Sequence, residues 1–181
     1  TPVQLAGSSV SSIVVGETAT CSIRSDSVLR CWGLDGASQL AQGTTSFATP
    51  AAVGAAQYVA VSAGTDHTCG IQTGSNLYCW GSNAHGQLGV ATTNDWTATP
   101  VQVAGLNYNL IAAGSAHSCA IRSDGTLWCW GRNADGQLGL GDTTDRATPV
   151  QVGSGTNWTA VTAGDRHTCG LRSPGTAWCW G

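Results

Sequence analysis

The sequence predicts an all-β fold, a β-propeller of four-stranded antiparallel blades with four repeats visible. Three observations predict it. Eight cysteines fall into four pairs, Cys21 and Cys31, Cys69 and Cys79, Cys119 and Cys129, Cys169 and Cys179, which recur at steps of 48, 50 and 50 residues. Thr-Pro marks the same interval, at 1–2, 49–50, 99–100 and 148–149. Each unit carries four short apolar or β-branched runs between turn residues, and no stretch sustains a helical period. Four short strands repeating about every 50 residues are the pattern of propeller blades. The chain is taken as one propeller domain over residues 1–181, with repeats at approximately 1–48, 49–98, 99–147 and 148–181.

The third unit shows the elements in order. Leu110–Ala113 is the inner strand, Ser118–Arg122 and Thr126–Trp130 form a hairpin, and Pro149–Val152 is the outer strand after a Gly-rich loop. Arg122-Ser123-Asp124-Gly125-Thr126 fits a type I turn followed by a left-handed glycine, the three-residue hairpin with a bulge. Counting outward, Ile121 faces Leu127, Ala120 faces Trp128, and Cys119 faces Cys129. With the closing pair hydrogen-bonded, the two cysteines occupy a non-hydrogen-bonded site. Cα atoms there lie about 4.5 Å apart, at the lower edge of disulfide geometry.

Four bridges are therefore predicted: Cys21–Cys31, Cys69–Cys79, Cys119–Cys129 and Cys169–Cys179. Each closes a short loop and is worth roughly 2–3 kcal/mol at best. The turn varies between units. Ser27 replaces the glycine in unit one, and Gly74 stands one position early in unit two. Pro174 sits where a type I turn disfavours it, which predicts a tighter Pro-Gly turn and a shifted register in unit four. Two alternatives stand beside the disulfides. His-x-Cys at His67–Cys69, His117–Cys119 and His167–Cys169 offers metal donors, although the usual Cys-x(2–4)-Cys spacing is absent. Cysteine also serves as a small core residue. Disulfides imply an oxidising compartment, hence an extracellular or cell-surface position.

The phrase "IAAGSAHSCAIRSDGTLWCWGRNADGQLG" resembles the repeat of the regulator of chromosome condensation family, in the secreted bacterial-type variant with a cysteine on both hairpin strands. The likeness is strong in units two and three, good as far as unit four goes, and weak in unit one. There "VVGETATCSIRSDSVLRCWGLDGASQLAQG" lacks the histidine and has Ala37-Ser38 near the "GQLG" position. The resemblance implies a propeller that usually has seven blades. The four visible units would then belong to a larger seven- or eight-bladed ring, or to one closed by pairing. Pro2–Leu5 reads as a spare outer strand, while Trp178–Gly181 lacks one. The family includes an exchange factor for a small GTPase and secreted inhibitors of β-lactamases, so the resemblance leaves function open.

Composition narrows the partners. Seven arginines, no lysine and ten acids give a formal net charge of −3. That supplies no cationic footprint for nucleic acid. No apolar run is long enough to span a membrane, and no cofactor motif occurs. Trp32, Trp80, Trp130 and Trp180 follow the second cysteine of each unit and read as core between blades. His67, His117 and His167 repeat without an accompanying acid or nucleophile, and read as structural hydrogen-bonding groups. Ser118 is next to His117 on a strand, so the two point apart; no catalytic residue is assigned.

Residues that break the repeat are the better binding candidates. Phe47, Trp96 and Arg146 differ at one loop position, with Asp95 and Asp145 beside them. The tip of the other loop varies as Asp35, His85 and Asp135. Asn157-Trp158-Thr159 is a glycosylation sequon. Its Trp158 aligns with Tyr58 and Tyr108 at the start of an inner strand, where burial would bar modification. These features describe a secreted or cell-surface, disulfide-stapled, non-enzymatic module that binds protein or surface glycan. The alternatives are a structural protein that self-assembles into rings or fibres, and an inhibitor or regulator of a partner enzyme or GTPase.

Overall fold

The computed structural model describes residues 9–43, 46–92, 94–105 and 107–181, with the backbone but not the side chain of Phe47. The described strands are β1 (Val10–Val15), β2 (Ala19–Arg24), β3 (Val28–Leu34), β4 (Ser46–Ala63), β5 (His67–Gln72), β6 (Leu77–Ser82) and β7 (Trp96–Gln102), continuing with β8 (Tyr108–Ala113), β9 (His117–Arg122), β10 (Leu127–Gly131), β11 (Arg146–Gln151), β12 (Trp158–Ala163), β13 (Thr168–Arg172) and β14 (Thr176–Trp180). Neighbours in sequence pair antiparallel, giving sheets ordered β1 to β7, β8 to β11 and β12 to β14.

The long first sheet is two blades joined through β4. The early part of β4 pairs with β3, placing Ala51 opposite Cys31. Its later part pairs with β5, placing Ser62 opposite Cys69. Thus β4 is the outer strand of blade one and then the inner strand of blade two. Blade three is β8 to β11, and blade four is β12 to β14. Among the described residues no strand pairs with the outer edge of β14. The expected spare strand Pro2–Leu5 lies outside the described residues.

The hairpin register follows the turn chemistry. Arg122 N–H donates to Thr126 O at 3.0 Å, and Gly125, at φ +75°, donates to Arg122 O at 2.9 Å. Cys119 then faces Cys129, and the same register holds in every blade. All four predicted disulfides are present, each with Cα atoms 4.1 Å apart. Bonded in pairs, the cysteines have no thiolate left for a His-x-Cys metal site. Ser27 takes the left-handed conformation itself in blade one (φ 65°), as Ser75 does behind Gly74 in blade two (φ 64°).

Unit four differs from expectation. Pro174 does not shift the register, since Arg172 still faces Thr176 and Cys169 still faces Cys179. The Ser173–Pro174 peptide is cis, so proline occupies the third position of a type VI turn, where a type I turn would exclude it.

The core lies between blades. Buried Cys69, Cys79, Ile71, Leu77 and Leu88 of blade two pack with Tyr108, Ala120 and Trp130 of blade three. Blade one packs likewise on Tyr58, Val61 and Trp80 of blade two, and blade three on Trp158 of blade four. Burying a large apolar side chain contributes about 1.5–3 kcal/mol, so each interface stabilises the packing of one blade on the next. Trp80 and Trp130 are fully buried, as expected for core tryptophans. Trp32 and Trp180 are half-buried, short of that expectation, and Trp178 is 52% exposed on the blade whose outer edge carries no described strand.

Candidate functional site

In an antiparallel meander, loops alternate between the two ends of a blade. The loops joining first to second strands and third to fourth strands share one face of the propeller. The disulfide-flanked hairpin turns and the connections between blades share the other. The first of these, called the loop face below, collects the sequence-selected Asp95, Trp96, His85, Asp135, Asp145 and Arg146.

The long loop between third and fourth strands is built by its own side chains. In blade two, Asn83 Oδ1 accepts from Leu88 N–H at 3.1 Å and Gln87 Oε1 accepts from His85 N–H at 2.9 Å. Blade three repeats this with Asn133 and Gln137. Blade one repeats it with Asp35 in place of the asparagine, its Oδ1 accepting from Leu40 N–H at 2.7 Å. Asp35 is therefore a loop-forming residue and not the counterpart of His85 and Asp135. The residue at that tip in blade one is Ala37, whose N–H donates to Gln39 Oε1.

With its side chain turned inward, the glutamine presents its carbonyl to the next blade. Gln87 O accepts from Trp130 Nε1 at 2.9 Å and from Ser118 Oγ at 3.0 Å. Gln39 O accepts from Trp80 and Thr68, and Gln137 O from Trp180 and Thr168. Gly89, at φ +72°, is needed beside this clamp, because a Cβ there would lie 2.7 Å from Trp130 Nε1.

Histidine completes the clamp. His67 Nε2 lies 2.8 Å from Ser118 Oγ, and His117 Nε2 lies 2.8 Å from Thr168 Oγ1. Each hydroxyl already donates to a glutamine carbonyl, so it accepts from the imidazole, which fixes the neutral Nε2–H form. Sequence adjacency separates His117 from Ser118, yet the fold brings Ser118 to His67 of the preceding blade. This Ser–His contact is fully buried, and its hydroxyl proton is committed to a carbonyl, so the serine is not poised as a nucleophile. Burial, followed by the neighbouring His117, pushes the pKa of His67 down to about 3. Burial, followed by His167 and opposed by Asp165, pushes that of His117 down to about 4. Nδ1 of both rings is buried without a hydrogen-bond partner. Ala19 occupies the histidine position in blade one.

At the centre of the loop face the first loops converge closely. A Cβ on Gly16 would lie 2.5 Å from Gly64 O, and one on Gly114 would lie 2.5 Å from Gly164 O. Glu17, Thr65, Ser115 and Asp165 border the resulting pit of about 230 Å³. Thr65 Oγ1 donates to Glu17 Oε2 at 2.9 Å.

Between blades the rim carries the repeat-breaking residues. His85 Nδ1 reaches across to Asp145 Oδ2 at 3.0 Å, closing the groove between blades two and three. Arg146 pairs with Asp142 at 2.6 Å, and Arg132 approaches Asp135 at 3.9 Å. Asp142 is held below the usual carboxylate range, first by the Thr144 N–H and then by its arginine. Between blades one and two a groove of about 610 Å³ stays open, bordered by Ala37 and Ser38 on one side and Asp95 and Trp96 on the other. Trp96 is 58% exposed. Phe47, at the start of β4, is placed by its backbone alone. Asn157 stands on the opposite face and is exposed, contrary to the burial expected from Trp158. Its Nδ2 donates to Ser173 O at 2.9 Å and its Oδ1 accepts from Arg172 Nε at 2.8 Å.

The two faces carry unlike charge. Every acidic side chain except Asp26 and Asp124 lies on the loop face, together with three of the seven arginines, Arg132, Arg146 and Arg166. Arg24, Arg122 and Arg172 sit at the hairpin turns and Arg30 in β3 toward that end. The loop face is thus net −5 and the hairpin face net +2, which together make the chain's −3.

Comparison with curated proteins by sequence gives no match. The sequence profile described as the regulator of chromosome condensation (RCC1) repeat matches residues 75–121 and 124–171, each span running from one hairpin turn into the next blade's hairpin. A second profile of that description matches 58–87 and 110–137. Among solved structures, yeast RCC1 (Prp20) bound to Kap60 superposes with a TM-score of 0.89 at 20% identity, covering 99% of this chain and 45% of that one. Human WBSCR16 gives 0.88 at 18% identity, covering 99% and 49%. The receptor kinase CR4 ectodomain of Physcomitrella patens gives 0.62 at 23% identity, covering 99% and 42%. The chain spans about half or less of the length of each. The profile match, the blade pairing and the shared fold together place the chain in the regulator of chromosome condensation repeat family, as a β-propeller with a disulfide in each of its four blades.

Proposed function

We propose that the protein is a secreted or cell-surface, non-enzymatic binding module, a disulfide-stapled propeller that presents its loop face to a protein partner. The observation that carries this reading is the placement of Asp95, Trp96, His85, Asp135, Asp145 and Arg146 together on one face of a rigid scaffold. Loops on rigid frames are where binding concentrates, and exposed tryptophan and arginine are enriched in binding hot spots. The disulfide in every described blade supports an oxidising compartment. The buried Ser–His contacts serve blade packing, their hydroxyl protons being committed to glutamine carbonyls. Yeast RCC1 is bound to Kap60 in its solved structure, and the Prp20p structure of Saccharomyces cerevisiae is described with binding to Gsp1p and histones. Those partners belong to those proteins; they support protein binding as the kind of task this fold carries.

A photo-reactive residue placed at Asp135, on the loop face, or at Ser123, on the hairpin face, tests the reading on cells that make the protein. Covalent adducts are expected from Asp135 and not from Ser123. Adducts from Ser123 alone, or from neither, would overturn it.

A further inference from the structure

We propose that the groove between blades one and two is a cation-binding site that takes an arginine side chain of a partner protein, stacked on the Trp96 ring and paired with Asp95. The inference rests on the binding-module reading and deepens it by naming the site and the chemistry.

The argument begins with two grooves at equivalent places. Between blades two and three, the protein fills the groove with its own side chains: His85 Nδ1 lies 3.0 Å from Asp145 Oδ2, and Arg146 pairs with Asp142. Between blades one and two, the equivalent of His85 is Ala37, and the equivalent of Arg146 is Trp96. Asp95 keeps the place of Asp145, and no described side chain pairs with its carboxylate. The result is an open groove of about 610 Å³ whose described borders include the Asp95 carboxylate and an exposed indole but no cationic side chain. An unpaired exposed carboxylate beside an aromatic face suits a guanidinium, which accepts ring stacking on its plane and hydrogen-bonds at its edge. The chain makes this contact itself on the hairpin face, where Arg122 lies over the Trp128 ring at 3.9 Å from its centroid.

The surrounding field agrees with the site. The loop face is net −5, and each of its arginines already has a carboxylate within 4 Å: Arg132 with Asp135, Arg146 with Asp142, Arg166 with Asp165. Such a surface draws a basic segment and repels an acidic one. A neutral sugar would also stack on Trp96 but would gain nothing from that field, so the two occupants separate by charge.

The test uses an acetylated, amidated Gly-Arg-Gly peptide, its citrulline counterpart and methyl α-glucopyranoside. Binding is followed at the Trp96 indole N–H resonance, assigned by its loss in Trp96→Phe. The arginine peptide is expected to produce a saturable shift at low salt that weakens as salt rises. Citrulline is expected to bind about tenfold less tightly, removing the charge at nearly constant shape. Asp95→Asn is expected to weaken arginine binding by a similar factor. Ala37→His, which supplies the imidazole partner for the carboxylate that blade two already carries, is expected to weaken it as well. The positions changed lie in the loops or, for Trp96, at the exposed start of β7, and unchanged thermal unfolding of each variant confirms an intact fold. Equal binding of arginine and citrulline, indifference to Asp95→Asn, or a larger shift with the glucoside would overturn the proposal. If adducts still form at Asp135 while arginine fails, the cation site is wrong and the binding face stands.

Discussion

Acid should loosen the packing between blades through its buried histidines before it touches the carboxylates. His67 and His117 are neutral donors in the folded protein, with pKa values near 3 and 4, while an unfolded histidine titrates near 6.5. The unfolded chain therefore binds more protons between those values, and stability falls as pH drops below about 6.5. At pH 5 each histidine contributes a loss of about 2 kcal/mol relative to neutral pH, about 4 kcal/mol for the pair. That is a large share of an ordinary folding free energy of roughly 5–15 kcal/mol. The carboxylates act lower. Asp124 and Asp142 have depressed values, Asp124 chiefly through its hydrogen bonds with Thr126 and Asp142 chiefly through the Thr144 N–H, so their contribution is present above the ordinary carboxylate range and lost only below it. The assay is urea unfolding with disulfides intact at pH 7, 6 and 5, on the wild type and on His67→Gln/His117→Gln. Glutamine retains an N–H donor and does not titrate. The wild type is expected to lose about 4 kcal/mol over that range and the double variant to be nearly flat. A wild-type change under about 1 kcal/mol, or an unchanged slope in the double variant, would refute the assignment of these rings as buried and neutral.

Other expectations follow from the same contacts. Cys119→Ser/Cys129→Ser opens one short loop and is expected to cost about 2–3 kcal/mol in urea unfolding; an unchanged midpoint would mean the bridge adds nothing. Trp130→Phe removes a buried donor to Gln87 O, which keeps Ser118, and is expected to cost about 1–3 kcal/mol; a neutral effect would remove the indole from the clamp. Gly114→Ala places a methyl 2.5 Å from Gly164 O and against the His117 ring, and is expected to destabilise by more than about 2 kcal/mol; tolerance would mean the axial loops do not meet as closely as described. Trp96→Ala, at the exposed start of β7, is expected to leave stability within about 0.5 kcal/mol, and a larger loss would make Trp96 a packing residue.

Local chemistry was legible in the sequence where one residue controls one turn. Gly125 set the register of its hairpin, and the cysteine spacing carried that register into four disulfides. Pro174 signals an altered turn but not the register, which the pairs Arg172–Thr176 and Cys169–Cys179 keep. What the sequence concealed lies between blades. His67 and Ser118 are 51 residues apart, and strand geometry within one unit speaks only against neighbours such as His117 and Ser118. A signal was available: Thr or Ser follows each repeated histidine, and one repeat offset brings the two together. Asp35 reads as a variable tip because its unit is worn, and its hydrogen bond to Leu40 N–H shows that it replaces Asn83 and Asn133. The charge division was readable in principle, since strand alternation assigns every loop to a face. It emerges only when acid positions are read against blade topology rather than summed along the chain.

The central claim is a propeller stapled in every blade for an oxidising compartment, and its most direct test is the intact mass of protein taken from its natural source and alkylated without reduction. The account expects no alkyl groups to be added before reduction and eight after it, with Cys21–Cys31, Cys69–Cys79, Cys119–Cys129 and Cys169–Cys179 recovered as linked peptides. Eight alkyl groups added without reduction would contradict it, returning the cysteines to the core as thiols and removing the ground for a secreted or cell-surface module.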